Sequence, residues 1–221
     1  MAFDQPIPLA TAAQLNEGPF ANLVQGFTAQ ALTNIMLTAT RSCESACDRR
    51  LAPFTGLLET MRADAVDVED AIDAYVPLDP TAQLGASRAA SLGSTLLVRH
   101  FWVREYPARY QELWTGSVQS ISLYRSFAGQ QTVQPSTMQF EPDTGHLRFQ
   151  LGTFVPQGTT IAVMYSGGYT VAIPADLVEA CRFMAASIAV KQLDPVDGRS
   201  GHDPDALRAE AMEMLAPYVR R

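Results

Sequence analysis

Residues Tyr165–Ala186 read YSGGYTVAIPADLVEACRFMAA, and the fold turns on them. A strand-like run enters at Tyr165, Gly167 and Gly168 turn the chain, and Pro174 opens a helix. Proline suits a first helical position because its missing N–H costs nothing there. Asp176 and Glu179 favour the positive end of the helix dipole. Leu177, Cys181, Met184 and Ile188 then recur at steps of four, three and four, the buried stripe of an amphipathic helix.

A strand, a glycine turn and a helix start also begin many phosphate sites. A P-loop needs GxxxxGK[ST] so that lysine reaches the phosphates, and SGGYTVAIPADL has no lysine. A dinucleotide loop needs GxGxxG within a βαβ unit, and neither is present. Asp176 would repel an anion at this helix start. Gly167 and Gly168 therefore read as backbone freedom for a tight strand-to-helix turn.

Helix precedes the strands as well. FTAQALTNIMLTATRSCESACDRRL, Phe27 to about Leu51, carries apolar residues at three- and four-residue steps. Thr28 reads as its N-cap. Arg49 and Arg50 suit its C-terminus, and Pro53 its stop. Residues 57–76 are ambiguous, with a short helix around Val68–Tyr75, and 77–94 read as loop. From Thr95 the period changes to two. Ile121, Leu123, Arg125 and Phe127 share one face, as do Met138 and Phe140, then Leu147, Phe149 and Leu151, then Ile161, Val163 and Tyr165. Glu141–Gly145 and VPQG read as turns. After the first C-terminal helix, DPVDGRSGHDPD breaks the pattern. PDALRAEAMEMLAPYVRR closes the chain as a short helix with Leu207, Ala211, Met214 and Leu215 on one face. The expected fold is α+β: a helical bundle core with an inserted small antiparallel β lobe. Its parts are an N-terminal arm (1–26), a helical core (27–94 and 166–221) and the β lobe (95–165).

The 221 residues are 47% hydrophobic and 18% charged, a globular composition. No apolar run approaches the roughly 20 residues of a membrane helix, and MAFDQPIPLATAAQLNEG lacks the basic and apolar regions of a signal peptide. Synthesis in the cytoplasm is expected. The net charge of −7 argues against a protein that grips DNA.

Cys43, Cys47 and Cys181 are an odd set. Cys43 and Cys47 share a helix face, but no second pair completes a metal site, so they read as small buried side chains. His100, His146 and His202 are far apart, and neither HExxH nor GxSxG occurs. Trp102, Tyr106, Tyr110 and Trp114 cluster with Arg99, Arg104 and Arg109. Glu105 and Glu112 dilute the charge there, so an interface is favoured over stacking on bases.

The order of ATRSCESACDRRLAP, β segments ending IAVMYSGGYTVAIPADLVEACRFMAASIAV, and EMLAPYVRR resembles the head–tail connector (adaptor) proteins of tailed bacteriophages. In that family a strand ending Tyr-x-x-Gly-Tyr enters a proline-initiated helix, matched here by Tyr165, Gly168, Tyr169, Pro174 and Leu177. The chain then closes on a Leu-x-x-Tyr-Arg-like tail. Leu215, Tyr218 and Arg220 fit it, with a valine between tyrosine and arginine. The resemblance covers residues 28–221. Residues 1–26 and the stretch from about 57 to 165 exceed the compact, mostly helical members.

The resemblance implies a non-enzymatic virion protein of the neck, without cofactor or metal. It implies a ring of about twelve copies beneath the portal protein, extending the DNA channel and presenting a platform to stopper or tail-terminator proteins. Genomic DNA would pass without specific binding, which an acidic subunit suits. The expected portal interface is Leu207, Met214, Leu215, Tyr218, Arg220 and Arg221. The expected ring or tail-side interface is Arg99, Trp102, Arg104, Tyr106, Tyr110 and Trp114. Gly167, Gly168 and Pro174 are the structural turn. Two other classes compete: another neck ring protein (stopper or tail terminator), and a small-ligand-binding α+β protein.

Overall fold

The helical period around residue 35 resolves, in a computed structural model, into α3, Ala29–Cys47. The structure describes residues 7–63, 97–98, 100–125, 129–150, 155–156, 159–193 and 202–220. Thr28 caps α3 as expected, its hydroxyl accepting the Ala31 N–H. The helix stops before the arginines, because Asp48 adopts a left-handed conformation (φ 50°) and donates its N–H to the last-turn carbonyls. Glu44 Oε1 then accepts the N–H groups of Leu51 and Ala52 at 3.0 and 3.1 Å. Arg49, Arg50 and Pro53 thus lie beyond the helix, and a carboxylate on its last turn sets the exit.

The chain divides into two units. One comprises Met1–Thr55, Glu105–Thr115 and Gly167–Arg221, the other Gly56–Arg104 and Gly116–Ser166. The inserted unit therefore begins near residue 56 and not 95, and residues 105–115 return to the helical unit. Side-chain chemistry explains that return. Glu105 accepts the Arg50 N–H (2.7 Å), Arg49 donates to the Tyr106 carbonyl (2.9 Å), and Tyr169 donates to the Arg109 carbonyl (2.7 Å).

In the helical unit, residues 7–26 are not an arm. Short helices α1 (Ala12–Leu15) and α2 (Ala21–Val24) bury Leu15, Leu23 and Val24, with Leu9 and Phe20 beside them. Each such side chain contributes roughly 1.5–3 kcal/mol on burial. Leu9 also donates its N–H to the buried Thr40 hydroxyl on α3 at 3.0 Å.

Helix α4, Ala175–Gln192, starts one residue after Pro174. Of its expected stripe, Leu177, Cys181 and Met184 are buried and Ile188 half-buried. Ala180, Ala185, Ala186, Ser187 and Ala189 are buried too, so α4 is covered on nearly every side. Its alanines let α3 pack on one side and α5 (Pro204–Leu215) on another. Asp203 caps α5, accepting the Asp205 N–H, and Leu207, Ala211 and Leu215 face inward while Met214 is half-buried.

In the second unit the strands are β1 (Phe54–Arg62, which begins in the helical unit), β2 (Leu97–Val98), β3 (His100–Trp102), β4 (Ser117–Arg125), β5 (Gly129–Val133), β6 (Met138–Glu141), β7 (His146–Phe149), β8 (Val155–Pro156) and β9 (Thr160–Gly167). They form sheets ordered β1-β9-β4-β5, β3-β7-β6 and β2-β8. The expected inward faces hold for Ile121, Leu123, Leu147, Phe149, Ile161, Val163 and Tyr165, all buried. The turn after Glu141 closes the β6–β7 hairpin, with Glu141 opposite His146. VPQG is not a turn at its start, since Val155 and Pro156 pair with Val98 and Leu97 as an edge strand. The expected helix at Val68–Tyr75, the loop at 77–94, and Arg99, Phe127, Leu151 and Arg221 lie outside the described residues.

Candidate interface around the glycine turn

Gly168 holds φ +121°, and a Cβ there would stand 2.5 Å from Pro53 Cα and 2.8 Å from the Ala52 carbonyl oxygen. At Gly167 a Cβ would meet the Phe54 ring at 2.9 Å and Trp114 at 3.2 Å. Both glycines are required by a close pass of the chain against residues 52–54. Helix α4 follows the turn. Asp176 occupies its first turn and its Oδ1 accepts the Leu177 N–H (3.0 Å) and the Tyr218 hydroxyl (2.7 Å).

From this turn an aromatic cluster spreads through the helical unit. Tyr169 lies edge-on to Trp114 (5.2 Å) and to Tyr218 (6.5 Å). The Arg109 guanidinium covers the rings of Tyr110 (5.1 Å) and Tyr218 (5.8 Å) and pairs with Asp176 at 3.7 Å. A second clamp sets Arg49 and Arg220 over Tyr106 at 5.4 and 5.9 Å, and Arg220 donates its N–H to the Cys47 carbonyl. Burial pushes the Tyr169 hydroxyl up to about 12. Burial, then the bond to Asp176, pushes Tyr218 up as well. Both hydroxyls are therefore protonated donors at neutral pH.

The residues expected at a portal interface are mostly core. Leu207, Leu215 and Tyr218 are buried, and Met214 and Arg220 half-buried. The resemblance and the amphipathic pattern pointed to a docking helix, but that apolar face is already covered by α4. The expected ring or tail-side set is divided. Trp102 and Arg104 belong to the β unit, whereas Tyr106, Tyr110 and Trp114 belong to the helical unit. Trp114 is 6% exposed and serves as a wedge beside Phe54 and Tyr169, not as a surface anchor. Trp102 is 45% exposed and stacks on His146 (5.0 Å). Arg104 is exposed, and its N–H donates to Glu59.

One surface was missed by sequence reasoning. Val171 is 64% exposed, Ala172 is exposed and Ile173 half-exposed. Val171 bonds to the Leu113 carbonyl, beside Tyr110, which is 38% exposed. Tyr110 holds a left-handed backbone at φ 52°. Strained backbone of this kind persists only where surrounding bonds fix it. Exposed Tyr110 with the Arg109 guanidinium over its ring has the composition of an interface centre, and Val171 is a further exposed apolar side chain. The signal in the sequence was VAI standing uncompensated before Pro174.

His146 stacks on Trp102 and lies 3.7 Å from Glu141, while His202 sits edge-on to Phe20 in the other unit. Cys43, Cys47 and Cys181 are buried thiols. The hydrogen bond to Cys181, then burial, pushes Cys43 up, and burial pushes Cys47 up to about 11. Among the described residues, no group of three or more His, Cys, Asp or Glu side chains could hold a metal ion, and no helix is long and apolar enough to cross a membrane.

No protein-family model matches the chain, and no curated protein matches it.

Proposed function

We propose that the protein is a structural head–tail connector of a tailed bacteriophage, a ring subunit beneath the portal that extends the DNA channel and joins the capsid to stopper or tail proteins. One observation carries the reading. The two separated motifs behind the resemblance, Tyr169 with its proline-initiated helix and Tyr218 of the closing tail, meet edge-on, and Tyr218 bonds Asp176 at the start of α4. Distant segments matching one family pattern form a single packed joint. The exposed Tyr110–Val171 surface supplies an apolar contact suited to a neighbouring subunit. The net charge of −7 suits a channel through which DNA slides.

The test is electron microscopy of the protein mixed with the portal protein encoded in the same genome, together with antibody labelling of whole particles. Rings on the portal and label at the neck are expected. Replacing Tyr110 and Val171 by serine should weaken assembly and leave the melting temperature within a few degrees. Rings that bind the tail and not the portal would identify a stopper or tail terminator instead. Absence of both ring and label removes the reading.

A further inference from the structure

Strand β5 forms with almost no apolar face of its own. Gly129, Gln130, Gln131 and Thr132 are exposed, and Val133 is half-buried. It is held to β4 by an unbroken register from Ile121↔Val133 to Arg125↔Gly129, with Gln130 donating to the Ser122 hydroxyl. Among the described residues its other edge has no strand partner. Natural edges are guarded by lysine, proline or a bulge. GQQTV has no lysine or proline, and the register shift in this sheet lies on the other side of β4, between Val118 and Ser120. An unguarded edge of this kind is a template for a further strand.

The opposite edge of the same sheet is β1. It runs antiparallel to β9, since Ala63 beyond its end bonds Thr159 before the start of β9, while Phe54 at its start lies against Gly167. β4 is antiparallel to both β9 and β5. Directions therefore alternate across the four strands, and β5 of one molecule laid along β1 of another continues the alternation.

Charge selects the occupant. Copies of a chain with net charge −7 repel one another. Gly129–Val133 contains no Asp, Glu, Lys or Arg, and β4 beside it carries only Arg125, opposite Gly129. β1 holds Glu59, whose carboxylate accepts the Arg104 N–H (2.9 Å) and the Tyr165 hydroxyl (2.8 Å), and Arg62 at its last position. These two edges are where identical acidic copies can meet without like-charge contact. We propose that β5 of one copy pairs along β1 of a second copy, joining the β units into a continuous sheet. This rests on the ring reading above, because unlike edges pair head to tail and close by rotation.

Thr60 and Thr132 are exposed. Thr132 pairs with Ser122, on the face opposite Ile121 and Leu123. Thr60 alternates with Glu59, which meets Tyr165 on the buried face. The two threonines thus share the outer face. The double variant Thr60→Cys, Thr132→Cys, oxidised with copper phenanthroline at high protein concentration, should give a ladder of covalent multimers on a non-reducing gel. Thr132→Cys alone should remain monomeric. Adding Gln131→Lys to the double variant should cut the ladder about tenfold without changing the melting temperature. A purely monomeric product, a ladder indifferent to Gln131→Lys, or dimers from Thr132→Cys alone as abundant as the ladder would overturn the proposal. A ladder without neck labelling keeps the strand pairing and removes the neck reading; labelling without a ladder does the reverse.

Discussion

The hydroxyl of Tyr218 donates to Oδ1 of Asp176 at 2.7 Å and ties the end of the chain to the first turn of α4. The bond is made where Arg109 also covers the tyrosine ring, so the closing segment is a strut of the helical core. Tyr218→Phe should cost about 1.5–3 kcal/mol, the worth of a hydrogen bond to a carboxylate, read as a lower melting temperature with unchanged far-UV dichroism. Deletion of residues 203–221 should do far more. It strips Leu207, Ala211, Leu215 and Tyr218 from the core, and loss of cooperative unfolding is expected. A portal interface expected on this segment implies that its removal would spare the fold. The burial of those four side chains reverses that expectation.

Gly168→Ala should be among the most damaging single methyl additions. The new Cβ meets backbone atoms of Pro53 and Ala52 that no rotamer change can move, on a φ that L-residues avoid. A cost of roughly 3 kcal/mol or more is expected from the two effects together. Gly129→Ala is the control, with φ +71° but nothing within 4 Å of the added carbon. It should cost only the backbone term, about 1–2 kcal/mol. Denaturant melts of the two variants separate collision from backbone strain.

Thr40→Val tests whether the N-terminal segment belongs to the core. Its hydroxyl accepts the N–H of the buried Leu9, 31 residues away, and contacts Cys181 Sγ at 3.6 Å. Valine keeps the shape and leaves a buried donor unmet, which costs about 1–3 kcal/mol. Hydrogen exchange should quicken first at Leu9 and its neighbours. Unchanged exchange there would mean that residues 7–26 are held by apolar burial alone.

Periodicity made the helices legible: α3, α4 and α5 carry their apolar residues at three- and four-residue steps, and Thr28 and Pro174 mark their starts. Strand β1 was not legible, because Leu57 and Leu58 are adjacent and Gly56 interrupts the run, so no period of two appears. The end of α3 was misread because Asp48, and not the arginines, takes the left-handed cap. The candidate site was harder still. An amphipathic helix looks alike whether its face docks on a partner or on its own neighbour, so Leu207 and Leu215 were assigned outward. The split of Trp102 from Tyr110 between units depends on long-range bonds such as Tyr169 to Arg109, which no local pattern encodes.

Alkaline pH should loosen the same joint. Tyr169 has its hydroxyl raised from 10.0 to about 12 by burial, so the folded state holds that proton more tightly than the unfolded chain does. A group raised on folding contributes its stability fully below its unfolded value and loses it as pH rises through the folded one. Stability from Tyr169 should therefore be intact below about pH 10 and decline between about pH 10 and 12. The amount at stake is on the order of 2 kcal/mol. Tyr218, raised in the same direction from 10.0, adds to the loss across the same range. Melting temperature followed against pH, with tyrosinate absorbance in parallel, should show unfolding and late ionisation together. Tyr169→Phe should be less stable at neutral pH, through loss of the bond to the Arg109 carbonyl, yet flatter across the alkaline range. A variant whose alkaline decline matches that of the parent would show that other groups govern it.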